Sequence, residues 1–453
     1  MGRKDLAVFG GFAALLAITR WPLAPKYLFY FDSVNMAYSL TDFDPQRHQP
    51  QPPGYPLYVG FCRCLHALGL SPEDTFLWSG VLAGALAAFL LWKLGTEAGN
   101  TRAGWTAGLL FCFTPVFWFN SLTNQGRAFN AVASAGTAWL CLRASRADAP
   151  WGWLAAASAF LGLMAGFRPV ESLMLAPLLL WALWKRGFAW KAGLAMVVAG
   201  LIPCLAWGWV LLAESGGLSA YLELLRNYAN AENIVAARTA ANPAKALLKS
   251  FEFVGAMHLV AFLPWFWALV FVRPRLGGMG VFLAVWLLPG LAFQIVGHAA
   301  DPCHTLATIA GACWLGGLTI AQLQAPRALI ALGVACALGT ALFLHPLRGA
   351  ARATSYDVIR RVNLVVTEAV DTLRAAEKAG PLAIAVKDTL VTWRHLAWYF
   401  PKAEIWVVEP ARHWSPSGHG EYTLDPARRI WIVDRAGIHE APRAEDAVRY
   451  KAP

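Results

Sequence analysis

The sequence predicts an all-α polytopic membrane bundle of about eleven spans followed by a small α/β domain, and three observations carry that prediction. Of 453 residues, 57% are hydrophobic and only 14% charged, against roughly 25% charged in a soluble domain. Apolar runs recur from Asp5 to Leu347, several lasting about 20 residues, the length a hydrocarbon core of about 30 Å demands of a helix. Beyond Leu347 the runs stop, so residues 348–453 read as a separate soluble domain.

Taken in order, spans are expected at residues 5–24, 75–94, 104–119, 128–142, 151–167, 169–184, 190–213, 251–272, 278–297, 305–323 and 327–346. The first follows Met1-Gly-Arg-Lys and imitates a signal peptide, but Ile18-Thr-Arg-Trp-Pro offers no small-residue cleavage pattern, so it reads as a retained span. Gly54 to Leu70 is also apolar, yet it is short, opens after prolines and carries Arg63 and His66, which suits a helix lying in the interface. Charge tests that choice. With the N-terminus cytoplasmic, the inner loops hold Arg3 and Lys4, Lys93 and Arg102, Arg143 and Arg146, Lys185, Arg186 and Lys191, Arg273 and Arg275, and Arg327, so every one is basic. A spanning 54–70 segment would invert the later loops and put Arg273 and Arg275 outside. The expected setting is therefore an inner or plasma membrane, with the domain at 348–453 outside the cytoplasm.

Two external segments are long, residues 25–74 and 214–250, and loops of that length usually serve function. The soluble part offers strand-like runs at Leu382–Val386, Glu404–Val408 and Arg429–Val433, with a helix-like Thr389–Tyr399 between the first two. The net charge of +11 is explained by the basic inner loops, and no basic, aromatic-interleaved groove points to nucleic acid. Most of the eight cysteines fall in apolar runs as small hydrophobes, and Cys62 and Cys64 lack the second pair of a structural zinc site. No repeat of fixed period supports a solenoid or an inverted-repeat transporter.

The most informative stretch begins as the first span leaves the membrane: Tyr30-Phe-Asp-Ser-Val-Asn-Met-Ala-Tyr, then Pro45-Gln-Arg-His-Gln-Pro-Gln-Pro-Pro-Gly-Tyr-Pro-Leu-Tyr. Asp32 stands where the chain turns into a short helix. It either caps free N–H groups or, partly desolvated at the boundary, serves as a general base. Asp42 and Asp44 are alternates that also suit capping ahead of Pro45. The prolines at 50, 52, 53 and 56 keep the loop irregular.

These residues resemble the first external loop of the GT-C membrane glycosyltransferases, nearest to the protein mannosyltransferase and aminoarabinose transferase family. Thr114-Pro-Val-Phe-Trp-Phe-Asn is similar to that family's Ser-Pro-Leu-Phe-Trp-Phe-Tyr run, and Ala165-Gly-Phe-Arg-Pro also fits, so the resemblance covers most of residues 1–325. It implies inverting transfer of a sugar from a polyprenyl-phosphate lipid to a glycan, lipid or protein acceptor, with Asp32 matching the aspartate that activates the acceptor hydroxyl. A departing lipid phosphate needs positive charge. Arg168, deep in an apolar stretch, is the first candidate, with an ion pair to Glu171 as the alternative. Arg127, Arg47, His48, His298, His304 and Tyr55 are the further candidate contacts to donor or substrate. The family commonly carries a second acid after the Pro-x-Phe-Trp-Phe run, where this chain has Asn130, and that departure puts a divalent metal in doubt. In Gly297-His-Ala-Ala-Asp-Pro-Cys-His-Thr, Asp301 and the two histidines suit a turn better than a metal site. A polyprenyl-lipid flippase and a non-catalytic glycolipid-binding relative are the alternatives from other classes.

Overall fold

A computed structural model of the chain describes every residue except 1, 124, 232–241, 275, 298–301, 387–388, 408–429 and 441–453. His298, Asp301 and Arg275, with Val408 and Arg429 of the expected strands, lie outside the described residues, as does the side chain of Glu171. The helices are α1 (Arg3–Arg20), α2 (Phe31–Ser39), α3 (Pro56–His66), α4 (Pro72–Glu97), α5 (Thr101–Phe113), α6 (Pro115–Thr123), α7 (Phe129–Ala144) and α8 (Gly152–Phe167). There follow α9 (Pro169–Met174), α10 (Ala176–Lys185), α11 (Trp190–Glu214), α12 (Leu218–Ala231), α13 (Pro243–Phe266), α14 (Met279–Val296), α15 (Leu306–Ile320) and α16 (Ala325–Leu344).

Among the described residues six helices are long and apolar enough to cross a membrane, namely α1, α4, α11, α13, α14 and α16. The α5–α6 pair qualifies only as a bent unit, and residues 152–167, 172–185 and 306–320 form shorter apolar helices. Helix α3 has 11 residues, a rise of roughly 16 Å, well short of a hydrocarbon core. Helix α4 is the central post, with 83% of its apolar window buried against 11% for α11 at the periphery. It packs on α1, α5 and α7, and α15 closes the group against α5 and α7. Small residues permit the closest approach: a Cβ on Gly95 would lie 2.4 Å from the Gly104 Cα of the facing helix.

The stretch 104–119, expected as one span, is two helices bent by 57°. Pro115 has no N–H to bond and its ring drives Thr114 to an extended φ of −69° and ψ of 132°. The same chemistry acts at Pro169, where Arg168 is extended at φ −152° and ψ 90°. The helix is therefore interrupted at Arg168, which ends α8 and precedes α9. A break inside an apolar bundle strands backbone carbonyls, and Arg20 answers the first of them. Its side chain, fully buried at the end of α1, donates to the Cys112 carbonyl and, at 3.4 Å, to the Ser121 hydroxyl. The guanidinium also lies 4.2 Å from the Trp118 ring centroid, and Trp118 stacks on Phe343 of α16.

The C-terminal α/β region opens with α17 (Tyr356–Glu377), which buries Ile359, Val362, Val366, Val370 and Leu373 at helical spacing. Its sheet comprises β1 (Ala383–Val386), β2 (Glu404–Val407), β3 (Ile430–Asp434) and β4 (Gly437–Glu440) in the order β2-β1-β3-β4, parallel except for the β3–β4 hairpin. Helix α18 (Trp393–Tyr399) starts four residues later than the expected Thr389, because Thr392 is its N-cap and accepts the His395 amide at 3.4 Å.

Replacing Arg20 by methionine should lower the thermal midpoint of the detergent-solubilised protein, through the loss of about 1–3 kcal/mol when the Cys112 carbonyl is left without a donor. An unchanged midpoint in a fluorescence-monitored melt would show that the guanidinium does not hold the break.

Candidate active site

Tyr30 is extended and α2 begins directly after it, which sets Asp32 in the first helical turn, where free N–H groups and the helix dipole favour a carboxylate. The Ser33 hydroxyl donates at 3.0 Å to the carbonyl of Thr123, the last residue of α6. That bond seats α2 beside the 3₁₀ turn Gln125–Ala128, whose Arg127 Nη2 donates to Asp32 Oδ2 at 3.2 Å. The side chains are 13% exposed for Arg127 and 31% for Asp32, so the pair is fixed while the carboxylate keeps access to an incoming group.

Arg168 is the second candidate cation. It is buried in the break between α8 and α9, with its guanidinium 4.7 Å from the centroid of the Tyr55 ring. Tyr55 is held in the left-handed region at φ 51°, ahead of Pro56, where it opens α3. Phe129, two residues after Arg127, stacks at 4.4 Å on Phe167, the residue before Arg168. Tyr58 and Phe61 of α3 complete this aromatic cluster around Phe129. The segment carrying Arg127 is thus packed, through Phe129 and Phe167, against the segment carrying Arg168.

The other candidates divide. Arg47 is exposed and bridges Asp42 at 2.5 Å and Asp44 at 2.6 Å. Asp44 also accepts from the amides of Gln46 and Arg47, a capping geometry, so this trio rigidifies the loop. His48 is buried, with Tyr228 of α12 against its ring. His304 lies in the 3₁₀ turn Pro302–Thr305, which packs on the Gln125–Ala128 turn and so approaches the Arg127 neighbourhood. Its carbonyl accepts from Gln294 at 2.7 Å.

The structure adds residues that no local motif reveals. Arg394 of α18 donates to Asn35 Oδ1 of α2 at 2.9 Å and to the carbonyls of Arg47 and His48 at 2.9 and 3.3 Å. His395, fully buried, faces the Leu28 carbonyl with Nε2 at 3.1 Å and the Thr392 hydroxyl with Nδ1 at 2.7 Å. A carbonyl only accepts, so Nε2 carries the proton. Tyr399 takes the Leu28 amide at 2.8 Å and donates to Glu73 at 2.7 Å. Lys26 and Tyr27 both bond Asp371, which holds that carboxyl below its usual range. The soluble part thereby grips the loop carrying Asp32 from above.

A divalent cation does not fit these residues. Asp32 is paired with a guanidinium, Asn130 is neutral and fully buried, and among the described residues no group of three His, Cys, Asp or Glu side chains stands close enough to share an ion.

Residues 51–209 match the family described as dolichyl-phosphate-mannose-protein mannosyltransferase. The match spans Tyr55, Arg127 and Arg168. Among solved structures, the crystal structure of ArnT from Cupriavidus metallidurans bound to undecaprenyl phosphate superposes with a TM-score of 0.62 at 13% identity, covering 91% of this chain and 87% of that one. Its apo form gives 0.57 at 15% identity, with 89% and 85% covered. No protein of curated function matches the chain by sequence. The chain has the fold of these ArnT structures, a helical membrane bundle with a small α/β region, and the resemblance to GT-C glycosyltransferases stands.

The grip on the loop is expected to depend on pH. Burial pushes the His395 pKa down from 6.5 to about 4, and burial together with neighbouring Arg394 does the same to His48. A folded value below the unfolded one means protons are taken up on release, so docking is fully stable above about pH 6.5 and weakens as pH falls towards 4. Amide protection factors at Leu28 and in α18 should fall as pH drops through that window, and His395→Gln should flatten the dependence. An identical profile in the variant would remove His395 as its source.

Proposed function

We propose that the protein is an inverting glycosyltransferase that moves a sugar from a polyprenyl-phosphate donor to a hydroxyl on a glycan, lipid or protein outside the cytoplasm. The observation that carries this reading is the Asp32–Arg127 pair at the exit of α1, linked through the Phe129–Phe167 stack to Arg168 and Tyr55. The undecaprenyl phosphate bound by the ArnT structure supports the donor class, and the match to a dolichyl-phosphate-mannose-dependent family supports the chemistry. The uniformly basic inner loops support a cytoplasmic N-terminus.

In this mechanism the Asp32 carboxylate accepts the proton of the acceptor hydroxyl as that oxygen bonds to the anomeric carbon of the sugar. Attack comes from the face opposite the leaving group, so the configuration inverts. The bond from the anomeric carbon to the phosphate oxygen breaks, and its electron pair departs with the polyprenyl phosphate. Arg168 meets the charge growing on that phosphate from a fixed, largely dehydrated position, where a cation is worth more than in water. Arg127 orients the Asp32 carboxylate.

With labelled polyprenyl-phosphate sugar in proteoliposomes and cell-envelope extract as acceptor pool, Asp32→Asn should cut transfer by roughly 100-fold or more while the protein stays monodisperse. Full transfer by that variant would remove Asp32 from the chemistry. Arg168→Gln should lower turnover about 100-fold, as the loss of a charge-stabilising donor does elsewhere. The same vesicles test the flippase alternative, since a transporter relocates the labelled lipid with its sugar–phosphate bond intact. Absence of turnover with every donor would favour a glycolipid-binding role.

A further inference from the structure

Where α16 ends at Leu344 the chain passes into the α/β region, and the junction forms an open concavity of about 780 Å³ that shares no residue with the Asp32 or Arg168 surroundings. Arg348, Arg352 and Arg360 line it, against a single carboxylate, Asp357. Asp357 bonds Arg352 through both Nε, at 2.9 Å, and Nη2, and reaches Arg360 only at 3.7 Å. Arg348 forms no ion pair among the described residues. Three guanidinium groups less one carboxylate leave an excess of two positive charges in one concavity.

Its position is as informative as its charge. Helix α16 has 20 residues at a mean hydropathy of 2.0, so its end marks the membrane surface. Along that helix Ile330, Val334 and Leu338, each four residues apart, are 66%, 41% and 40% exposed and run as an apolar stripe up to the cavity, whose rim carries the half-exposed Leu344 and Leu347. A cationic concavity at headgroup level, above an uncovered apolar track, suits an amphiphile with an anionic head.

We propose that this junction binds a phosphate group, that of an anionic membrane lipid whose acyl chains lie along Ile330, Val334 and Leu338, and that the bound lipid seats the soluble part on the bilayer. Arg348 and Arg360 take the phosphate oxygens, while Arg352, already committed to Asp357, frames the site.

The test uses the full-length protein and two probes, phosphatidylglycerol titrated in native mass spectrometry and radiolabelled inorganic phosphate in equilibrium dialysis, with phosphatidylcholine as the neutral reference. The double substitution Arg348→Gln with Arg360→Gln changes only exposed side chains, and Lys378→Gln with Lys402→Gln removes the same charge elsewhere in the soluble part. The first should weaken association of the tightest phosphatidylglycerol at least fivefold and leave phosphatidylcholine unchanged, whereas the second should alter neither. A matching loss with inorganic phosphate would support the phosphate site but assign it to a soluble ligand. Equal phosphatidylglycerol and phosphate binding by wild type and the Arg348/Arg360 variant would overturn the proposal, as would an equal loss in the Lys378/Lys402 variant.

Discussion

A guanidinium with no solvent exposure and no carboxylate beside it among the described residues sits at the end of the first helix, and the arrangement of the bundle's end near Asp32 depends on it. Burying such a charge costs several kcal/mol unless other groups replace water. Arg20 finds them in the broken helix. Because Pro115 ends α5, the Cys112 carbonyl belongs to a helix C-terminus, where unbonded oxygens carry the negative end of the dipole. The break supplies the counter-charge that Arg20 lacks, and Arg20 supplies the donor that the break lacks. Each would be unfavourable without the other.

From that point the geometry propagates by short, directional contacts. The bend aims α6 so that its last carbonyl, Thr123, receives the Ser33 hydroxyl, and the turn after it presents Arg127 to Asp32. Trp118 lies between the Arg20 cation on one side and Phe343 on the other, so the last span is tied to the same joint. Two prolines, 115 and 169, do related work in different ways. The first lets a helix turn, and the second frees Arg168 from a helical register so that its side chain reaches Tyr55.

The legible part of this molecule is what hydropathy, charge and short motifs record: a membrane bundle, a small C-terminal α/β region, a short helix within Gly54–Leu70 and an aspartate just after the first apolar helix. The bend at Thr114 escaped because 104–119 is apolar throughout, and mean apolarity is blind to one missing N–H. The proline itself was the available signal. Helix α17 escaped for the opposite reason, since its charged face lowers its apolarity although Ile359, Val362, Val366, Val370 and Leu373 repeat at helical spacing. The pairing of Arg127 with Asp32 joins positions 95 apart, and that of Arg394 with Asn35 joins positions 359 apart. Contacts at such separations leave no local pattern in one sequence.

That long reach bears on how the protein is made. Both backbone groups of Leu28 are bonded by side chains of α18, Tyr399 to its amide and His395 to its carbonyl, at separations of 371 and 367 residues. The segment holding the aspartate is synthesised well before the partners that fix its backbone, which follow 367 and 371 residues later. Until then the nascent chain can insert its helices but not set its first loop. Maturation of that loop therefore waits for α18 to be made and folded, and a chain stopped before α18 would be left anchored in the bilayer with the segment carrying Asp32 unfastened.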